Sequence, residues 1–333
     1  MILNYFLDKL KQLLGRNNKT MAYTKPSNLL IYYGWMSSFN SADNGWDNEK
    51  VAQDMARYEL VVLGAGIQDS SHGDYSNSSV IIPRILELNP DCKVFGYISA
   101  TETESNFESK VDDWKSIGVN GIFFDEAGYD YGTVATNGRA AINSKVDYVH
   151  GEGMICFMNA WNIDHIIGTE NDASYPNSTW NSPTKAAKLN SNDWYLLESF
   201  AVNTVAYTGD LATASDMIAR GEKATARRET YSLNLAAVNV VDNNDSTAQS
   251  LATFAFEAAC MYAQDANGSS DEYYGASTAK SALYDRPEMH LTDLFTASPA
   301  VEQVGTTSVY LRYTKGGRLK LDFSAKTGSI EEY

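Results

Sequence analysis

Three acidic side chains follow apolar segments of the sequence, at points where a buried strand would end. Asp125 and Glu126 come directly after the run 121–124, and Glu198 comes after the run 194–197. A carboxylate beside a buried strand loses hydration, which is costly unless the group has a purpose there. Two carboxyl groups facing each other across a cleft can cleave a glycosidic bond. One protonates the leaving oxygen, and the other attacks the anomeric carbon or activates water.

The two neighbouring acids, Asp125 and Glu126, are expected to differ in direction. Successive side chains on a strand point to opposite faces, so only one of them should point along the axis of the fold. The alternation loosens at a strand end, where both could reach a cleft, and either could then act as the acid. Carboxylates held in salt bridges at the rim of the fold are the structural alternative.

Residues at the ends of the other predicted strands could bind a sugar. Aromatic rings offer flat apolar faces for stacking, whereas amide and imidazole groups form hydrogen bonds with hydroxyl groups. Ordinary packing is the alternative for each aromatic residue. The expected substrate-binding residues are Tyr33, Trp35, His72, Tyr97, Asn159 and Trp161.

Motifs for other chemistries are incomplete or absent from the sequence. The Gly-Ala-Gly segment 64–66 lacks the third glycine of a dinucleotide-binding loop, and there is no P-loop, Gly-x-Ser-x-Gly or His-Glu-x-x-His motif. Asp69, His72 and Asp74 are metal-ligand residue types, but the four scattered histidines give no second cluster. We therefore predict no metal and no cofactor.

The segments that would carry these residues alternate between apolar runs and helical patterns. Continuous Val, Ile, Leu and Phe runs separated by helices predict parallel strands buried on both faces. Eight such units over about 270 residues predict an α/β fold of the (β/α)8 TIM-barrel type, whose chemistry lies at the C-terminal ends of its strands. The predicted strands are 29–35, 58–66, 93–100, 121–126, 154–161, 194–202, 232–241 and one within 261–276.

Helical patterns separate most of these strands. One of the predicted helices, 212–228, is expected to expose its Glu and Arg side chains. A long polar loop is expected before residue 193. The predicted helices are 80–88, 106–117, 139–150, 212–228 and 248–263.

Both ends of the chain are expected to lie outside the barrel domain, residues 21–300. Residues 1–20 predict an amphipathic helix and linker, which could pack on its own domain, bind a partner chain or a second copy, or lie on a membrane. Residues 301–333 predict a β-hairpin of 309–314 and 318–323, either as an appended sheet or as a lid. The apolar helix face would be Leu3, Phe6, Leu7, Leu10, Leu13 and Leu14.

Charge and composition limit the expected partners and location. A net charge of −16 disfavours nucleic acid and anionic membranes and would attract a cationic polymer. Three cysteines lie singly in apolar runs, which predicts buried free thiols. No run reaches the roughly 18 apolar residues of a membrane span. Charges at Asp8, Lys9 and Lys11 make the first segment a poor signal peptide, and we expect an extracellular or virion-associated protein.

The segment 96–128 resembles the spherulin-like glycoside hydrolases, a family that includes galactosaminogalactan hydrolases and shares its plan with polygalactosaminidase barrels. The resemblance rests on Tyr97, the stretch 112–114, the GIFFDE run 121–126, and then Asn159 and Glu198 in the same order. It implies a barrel whose acidic set is Asp125, Glu126 and Glu198. It also implies a partly deacetylated, cationic galactosamine polymer as substrate.

This chain departs from the family pattern in two places. Ala160 and Trp161 follow Asn159 where the family has Pro-Gly, and the insertion 162–192 could reshape the cleft. The function we expect is an endo-acting glycoside hydrolase that cleaves an amino-sugar polysaccharide. The alternative is a glycan-binding or structural component of a larger assembly such as a phage particle. The leucine-faced N-terminal helix and the Asn-, Ser-, Thr- and Tyr-rich composition favour that alternative.

Overall fold

The structure is a computed structural model in which part of the chain is described. The predicted N-terminal helix and its apolar face lie outside the described residues. These are 25–168, 172–202, 213–242, 246–270, 284, 286, 302–313 and 317–332.

Eight parallel strands close into a barrel in chain order, with β8 pairing back to β1. This arrangement confirms the predicted (β/α)8 barrel. All eight strands lie within their predicted segments, apart from a two-residue earlier start of the first. The barrel strands are β1 Ser27–Tyr32, β2 Leu60–Leu63, β3 Lys93–Ser99, β4 Gly121–Asp125, β5 Ile155–Asn159, β6 Trp194–Leu197, β7 Asn234–Val240 and β8 Ala266–Ser270.

Helices of eight residues or more follow β1, β2, β3, β4, β6 and β7 in the described residues. Several begin at a side chain that caps the helix: Asp47 accepts the backbone N–H of Glu49, and Thr103 accepts that of Asn106. None of the described helices is long and apolar enough to cross a membrane. The helices are α1 Ser41–Asn44, α2 Asn48–Met55, α3 Tyr75–Leu88, α4 Glu104–Ser116, α5 Val134–Asn137, α6 Arg139–Gly151, α7 Asn177–Trp180, α8 Ala214–Tyr231 and α9 Ala248–Met261.

Two features of the helical layer bear on the expectations. The long polar loop predicted before residue 193 agrees with the structure, because the described part of the β5–β6 connection contains only a 3-10 turn, Ile163–His165, and the short helix α7. The prediction that α8 exposes its arginines is wrong for Arg228, which is 8% exposed. Its guanidinium donates to the carbonyl groups of Ala263 and Tyr262, and arginine can bury its stem when its donors find such partners.

The apolar core has two layers, because strand side chains alternate between the barrel interior and the helices. In β4, Phe123 packs inside the barrel, whereas Phe124 points outwards and lies 4.9 Å from the ring of Phe107 on α4. The inner layer continues with Phe95 and Phe157. The prediction of buried free cysteines is confirmed for all three, Cys92, Cys156 and Cys260.

The C-terminal segment forms a small antiparallel sheet rather than a hairpin alone. The predicted hairpin corresponds to β10 and β11, and a further strand pairs on each side in the order β12-β11-β10-β9. The sheet packs against α9, where Phe323 contacts Phe254 at 5.3 Å between ring centres and Leu319 and Leu321 are buried. The strands are β9 Glu302–Gln303, β10 Val309–Tyr313, β11 Gly317–Asp322 and β12 Thr327–Glu332.

Candidate active site

Four of the predicted site residues lie in one layer at the C-terminal mouth of the barrel. Phe95, Phe123, Phe157 and Leu196 fill the barrel interior, and side chains two residues further along each strand point to the same side. The period of two therefore brings the next inward positions together above this apolar floor. These positions are Tyr97, Asp125, Asn159 and Glu198.

Asn159 connects the two acids that belong to this layer. Its Nδ2 donates to Oδ1 of Asp125 at 2.8 Å and to Oε2 of Glu198 at 2.9 Å. Because both oxygens bond to the same nitrogen at these distances, they are no more than 5.7 Å apart. No basic side chain among the described residues forms an ion pair with Asp125 or Glu198. The described residues therefore give no support to the alternative of carboxylates held in salt bridges at the rim.

Asp125 receives several hydrogen bonds in a buried setting. Burial raises the pKa of its carboxyl group, and the nearby Glu126 carboxylate adds to that rise. Hydrogen bonds from the Tyr97 hydroxyl, Asn159 and the backbone N–H of Glu126 act in the opposite direction, since they stabilise the ionised form. The net result is a raised pKa for a carboxylate that still holds three donors.

Glu198 has fewer donors than Asp125. Burial raises the pKa of its carboxyl group, the hydrogen bond from Asn159 opposes the rise, and the neighbouring Asp125 charge adds to it. The positive charge of Arg220 lowers the pKa by a smaller amount. Of the two acids, Glu198 is therefore the one with less stabilisation of its ionised form through hydrogen bonds.

Glu126 leaves the layer because the backbone turns at this residue. Its φ of 55° is in the left-handed region, and its Oε2 accepts a hydrogen bond from Ser99 Oγ at 2.6 Å. Ser199, directly after Glu198, has the same left-handed backbone conformation, with a φ of 48°. Non-glycine residues in this region cost of order 1–3 kcal/mol, and such strain clusters at functional sites. Both acid-bearing strands thus end in a strained turn.

The remaining predicted residues lie at separate places around the mouth. Tyr33 contacts Tyr97 edge-on, with ring centres 5.4 Å apart. Trp35, which is 50% exposed, contacts His72 at 5.3 Å. In the described residues, no hydrogen bond or ring contact joins Trp35 or His72 to the acids.

Trp161 lies beside a different group. Its ring centre is 4.3 Å from the guanidinium carbon of Arg220, and the residue is 55% exposed. The described residues show no direct contact between Trp161 and the acids.

Sequence reasoning missed the residues that hold the loops of the site. Nζ of the buried Lys145 donates to the carbonyl groups of Ala100 and Glu102, and burial lowers its pKa to about 8. Asn137 donates to the carbonyl group of Glu126. Ser99 could have been found, since it lies two residues after Tyr97 on the same face, but the helical positions of the other two gave no signal.

One group of metal-ligand residue types occurs at the opposite end of the barrel. Ligand atoms of His150, Cys156 and Asp193 lie within 4.8 Å of one another. The Asp193 carboxylate already accepts the backbone N–H groups of Cys156 and Asn190 and faces Nε2 of His150 at 3.0 Å. These hydrogen bonds account for the buried carboxylate as a link between the starts of β5 and β6.

Comparison with known proteins gives only distant matches. No protein-family model and no curated protein matches the chain. The carboxyl transferase domain of Rhizobium etli pyruvate carboxylase is 12% identical with a TM-score of 0.45, over 82% of this chain and 45% of that one. The glycoside hydrolase domain of PelA from Pseudomonas aeruginosa is 10% identical with a TM-score of 0.43, over 73% and 94%.

A broad-specificity GH5-4 endoglucanase from Clostridium longisporum is 11% identical with a TM-score of 0.41, over 75% of this chain and 89% of that one. Likenesses at this level carry no argument about activity. This chain spans less than half of the carboxyl transferase chain. Its own strand pairing and side-chain layer define the class: a (β/α)8 barrel with two bridged, partly buried carboxyl groups at its C-terminal face.

Proposed function

We propose that the protein is a glycoside hydrolase whose catalytic carboxyl groups are Asp125 and Glu198. The observation that carries this proposal is the Asn159 bridge, which holds one oxygen of Asp125 and one oxygen of Glu198, both partly buried, within 5.7 Å at the C-terminal mouth. A pair of this kind is what cleavage of a glycosidic bond requires. Strained turns directly after both acids support the same conclusion.

The different environments of the two acids suggest their roles. Asp125, with three donors, is the better stabilised anion and acts as the nucleophile, whereas Glu198, with one amide donor, acts as the general acid. An Asp125 oxygen bonds to the anomeric carbon as the bond to the leaving oxygen breaks, and Glu198 protonates that oxygen. Glu198 then takes a proton from water, which displaces Asp125 from the anomeric carbon.

The short separation favours this retaining course. Retaining enzymes have carboxyl groups about 5–5.5 Å apart, whereas inverting enzymes need about 6.5–9.5 Å to fit a water molecule. We assign Glu126, fixed by Ser99, to substrate binding beside the reacting sugar. The resemblance of the segment 96–128 to spherulin-like hydrolases supports an amino-sugar polysaccharide as substrate and endo-acting cleavage. The net charge of −16 would concentrate a cationic polymer of this kind.

The proposal is tested by release of reducing ends from partly deacetylated galactosamine and glucosamine polymers. We expect turnover by the parent protein and none by Glu198→Gln. The surface variant Glu87→Gln serves as the control, since the Glu87 side chain is 66% exposed and pairs with Arg84 on the same helix. Proton NMR should show that the first product has the same anomeric configuration as the substrate, as a retaining course requires. Absence of turnover on every polymer would contradict the proposal.

A glycan-binding role without cleavage is the second candidate, and the exposed indoles of Trp35 and Trp161 favour it. Such a protein would retain the polymer on an affinity gel without releasing reducing ends. Trp35→Ala and Trp161→Ala would then weaken retention, whereas Glu198→Gln would leave it unchanged. A role in a phage particle, with residues 1–20 as the predicted anchor, belongs to this second candidate.

A further inference from the structure

Arg220 is a basic side chain whose charge acts on the proposed general acid, Glu198. It lies on α8, but its guanidinium turns inwards and donates to the carbonyl groups of Glu198 and Ser199. Its Nε is buried without a hydrogen-bond partner in the described residues. An arginine offers a rigid fork of donors, so one side chain can fix two consecutive carbonyl groups.

These two carbonyl groups belong to the turn that directs the acid. Ser199 has a φ of 48°, so the backbone after Glu198 needs outside support to keep this conformation. The next residues are held on the other side, where Asn239 Oδ1 accepts the backbone N–H groups of Ala201 and Val202. Arg220 thus supports the acid end of a turn that β7 already holds at its far end.

The same guanidinium also carries the exposed indole of Trp161. It lies 4.3 Å from the ring centre, within the range of a cation–π contact. Trp161 is 55% exposed in spite of this contact, so much of its ring surface remains available to a sugar. Arg220 and Trp161 both line a cavity of about 260 Å³.

We propose that Arg220 is a positioning residue that holds the general acid Glu198 and the sugar platform Trp161 in one fixed arrangement. This inference rests on the proposed function. It assigns Arg220 no contact with substrate. Its charge also acts on Glu198, because it lowers the pKa of that carboxyl group against the rise caused by burial.

The test compares Arg220→Met, Arg220→Lys and Trp161→Ala on a polymer that the parent protein cleaves. We expect Arg220→Met to lower kcat by 10- to 100-fold and to raise KM severalfold. Its alkaline limb of kcat/KM should move to higher pH, because Glu198 must be protonated to act and its pKa rises without the nearby charge. In Arg220→Lys the alkaline limb of kcat/KM should stay at the pH of the parent, since the charge remains. Its kcat should fall, because lysine lacks the fork of donors that holds both carbonyl groups.

Two further variants separate positioning from general stability. Trp161→Ala should raise KM with little change in kcat, and its KM effect should not add to that of Arg220→Met. Lys223→Met is the matched control: Lys223 lies one turn further on α8 and lines the same cavity, but pairs with Asp164. Its pH profile should match the parent. Parent-like kcat and pH limb in Arg220→Met would overturn the proposal.

Failure of the proposed function would look different, because the parent protein itself would then be inactive. In that case, the pKa of Glu198 is measured by carbon-13 NMR of its carboxyl group in the parent and in Arg220→Met and Arg220→Lys. An upward shift in Arg220→Met alone supports the arrangement. An unchanged pKa in both variants overturns it.

Discussion

Acids that are fully or partly buried occur at both ends of the barrel, and they differ in the groups that donate hydrogen bonds to their oxygens. At the N-terminal end, Asp193 is fully buried and accepts two backbone N–H groups beside the imidazole of His150. At the C-terminal end, Asp125 and Glu198 share the amide of Asn159, and burial raises the pKa of both. The backbone donors make Asp193 a structural link between two segments, whereas Asp125 and Glu198 are joined to each other through one amide group.

The comparison also shows how a barrel separates stability from chemistry. Asp193 ties the starts of β5 and β6 through the backbone of Cys156 and Asn190, where its loss would leave buried donors unpaired. The acids at the mouth are held through other groups, such as Arg220 below Glu198 and Asn137 below Glu126. Changing their charge should therefore affect the reaction far more than the fold.

The largest expected effect is the loss of turnover in Glu198→Gln and Asp125→Asn. Each change is nearly isosteric but removes a group that must gain or lose a proton or form a bond. We expect kcat/KM to fall at least about 1,000-fold, close to 4 kcal/mol of transition-state stabilisation. The free energy of unfolding should stay within about 1 kcal/mol of the parent, since each variant removes a buried charge. Reducing-end assays and urea denaturation measure the two quantities.

Either of two results would contradict the proposed difference between the acids at the mouth and Asp193. A variant that keeps more than a tenth of the parent activity removes that acid from the mechanism. A variant that no longer folds makes the acid structural, as Asp193 is.

The reverse pattern is expected for Asp193→Asn. The amide cannot accept from both backbone N–H groups and His150 as an anion does, so we expect the free energy of unfolding to fall by roughly 2–4 kcal/mol. Activity per folded molecule should remain. Asp91→Asn, at an exposed position, is the control and should be neutral. A stability equal to the parent in Asp193→Asn would mean that its hydrogen bonds contribute nothing net.

The sequence predicted the barrel and the acidic mouth for simple physical reasons. Continuous apolar runs mark strands buried on both faces, and acids directly after such runs stand out against their surroundings. The period of two then relates Phe123 to Asp125 on the inner face. The left-handed turn at Glu126 did not follow from residue types, because glutamate rarely adopts this conformation without outside support.

Other features gave no local signal. The sequence predicts an exposed helix face for Arg220, because a charged residue on a helix is usually solvated. The carbonyl groups to which it donates are brought to it only by the tertiary structure. β9 has two residues, too few to show a pattern in the sequence. The sequence therefore predicts a hairpin where the structure has a four-stranded sheet. The role of Asp193 also left no local pattern, because its backbone partner at Cys156 is 37 residues away in the sequence.

Another buried acid extends the comparison to a carboxyl group with an oxygen that lacks a donor among the described residues. Glu257 on α9 lies under β12, where a Cβ at Gly328 would be 1.6 Å from its Oε2. That oxygen has no hydrogen-bond partner in the described residues, and burial raises its pKa from 4.5 to about 7. Between these values the unfolded chain ionises while the folded protein stays protonated, so stability falls as pH rises through this window.

Glu257→Gln removes this titration. We expect the variant to gain roughly 2–3 kcal/mol of stability relative to the parent on going from pH 4 to pH 8. Urea denaturation at the two pH values measures the difference. The same relative stability at both would mean that water or a donor reaches the carboxylate.

The smallest expected effect concerns His150, the partner of Asp193. The hydrogen bond with Asp193 raises the pKa of the imidazole above 6.5, although partial burial opposes the rise. The charged pair therefore stabilises the folded protein fully below pH 6.5, and its contribution is lost as pH rises through the folded pKa. Since the His150 side chain is 23% exposed, we expect His150→Gln to cost about 0.5–1 kcal/mol more at pH 5.5 than at pH 8.5. In the Asp193→Asn background this pH dependence should vanish, because the partner charge is gone. If the two pH values give equal losses for His150→Gln, the pair acts as a neutral hydrogen bond, and Asp193 then differs from Asp125 and Glu198 only in the donors that its oxygens meet.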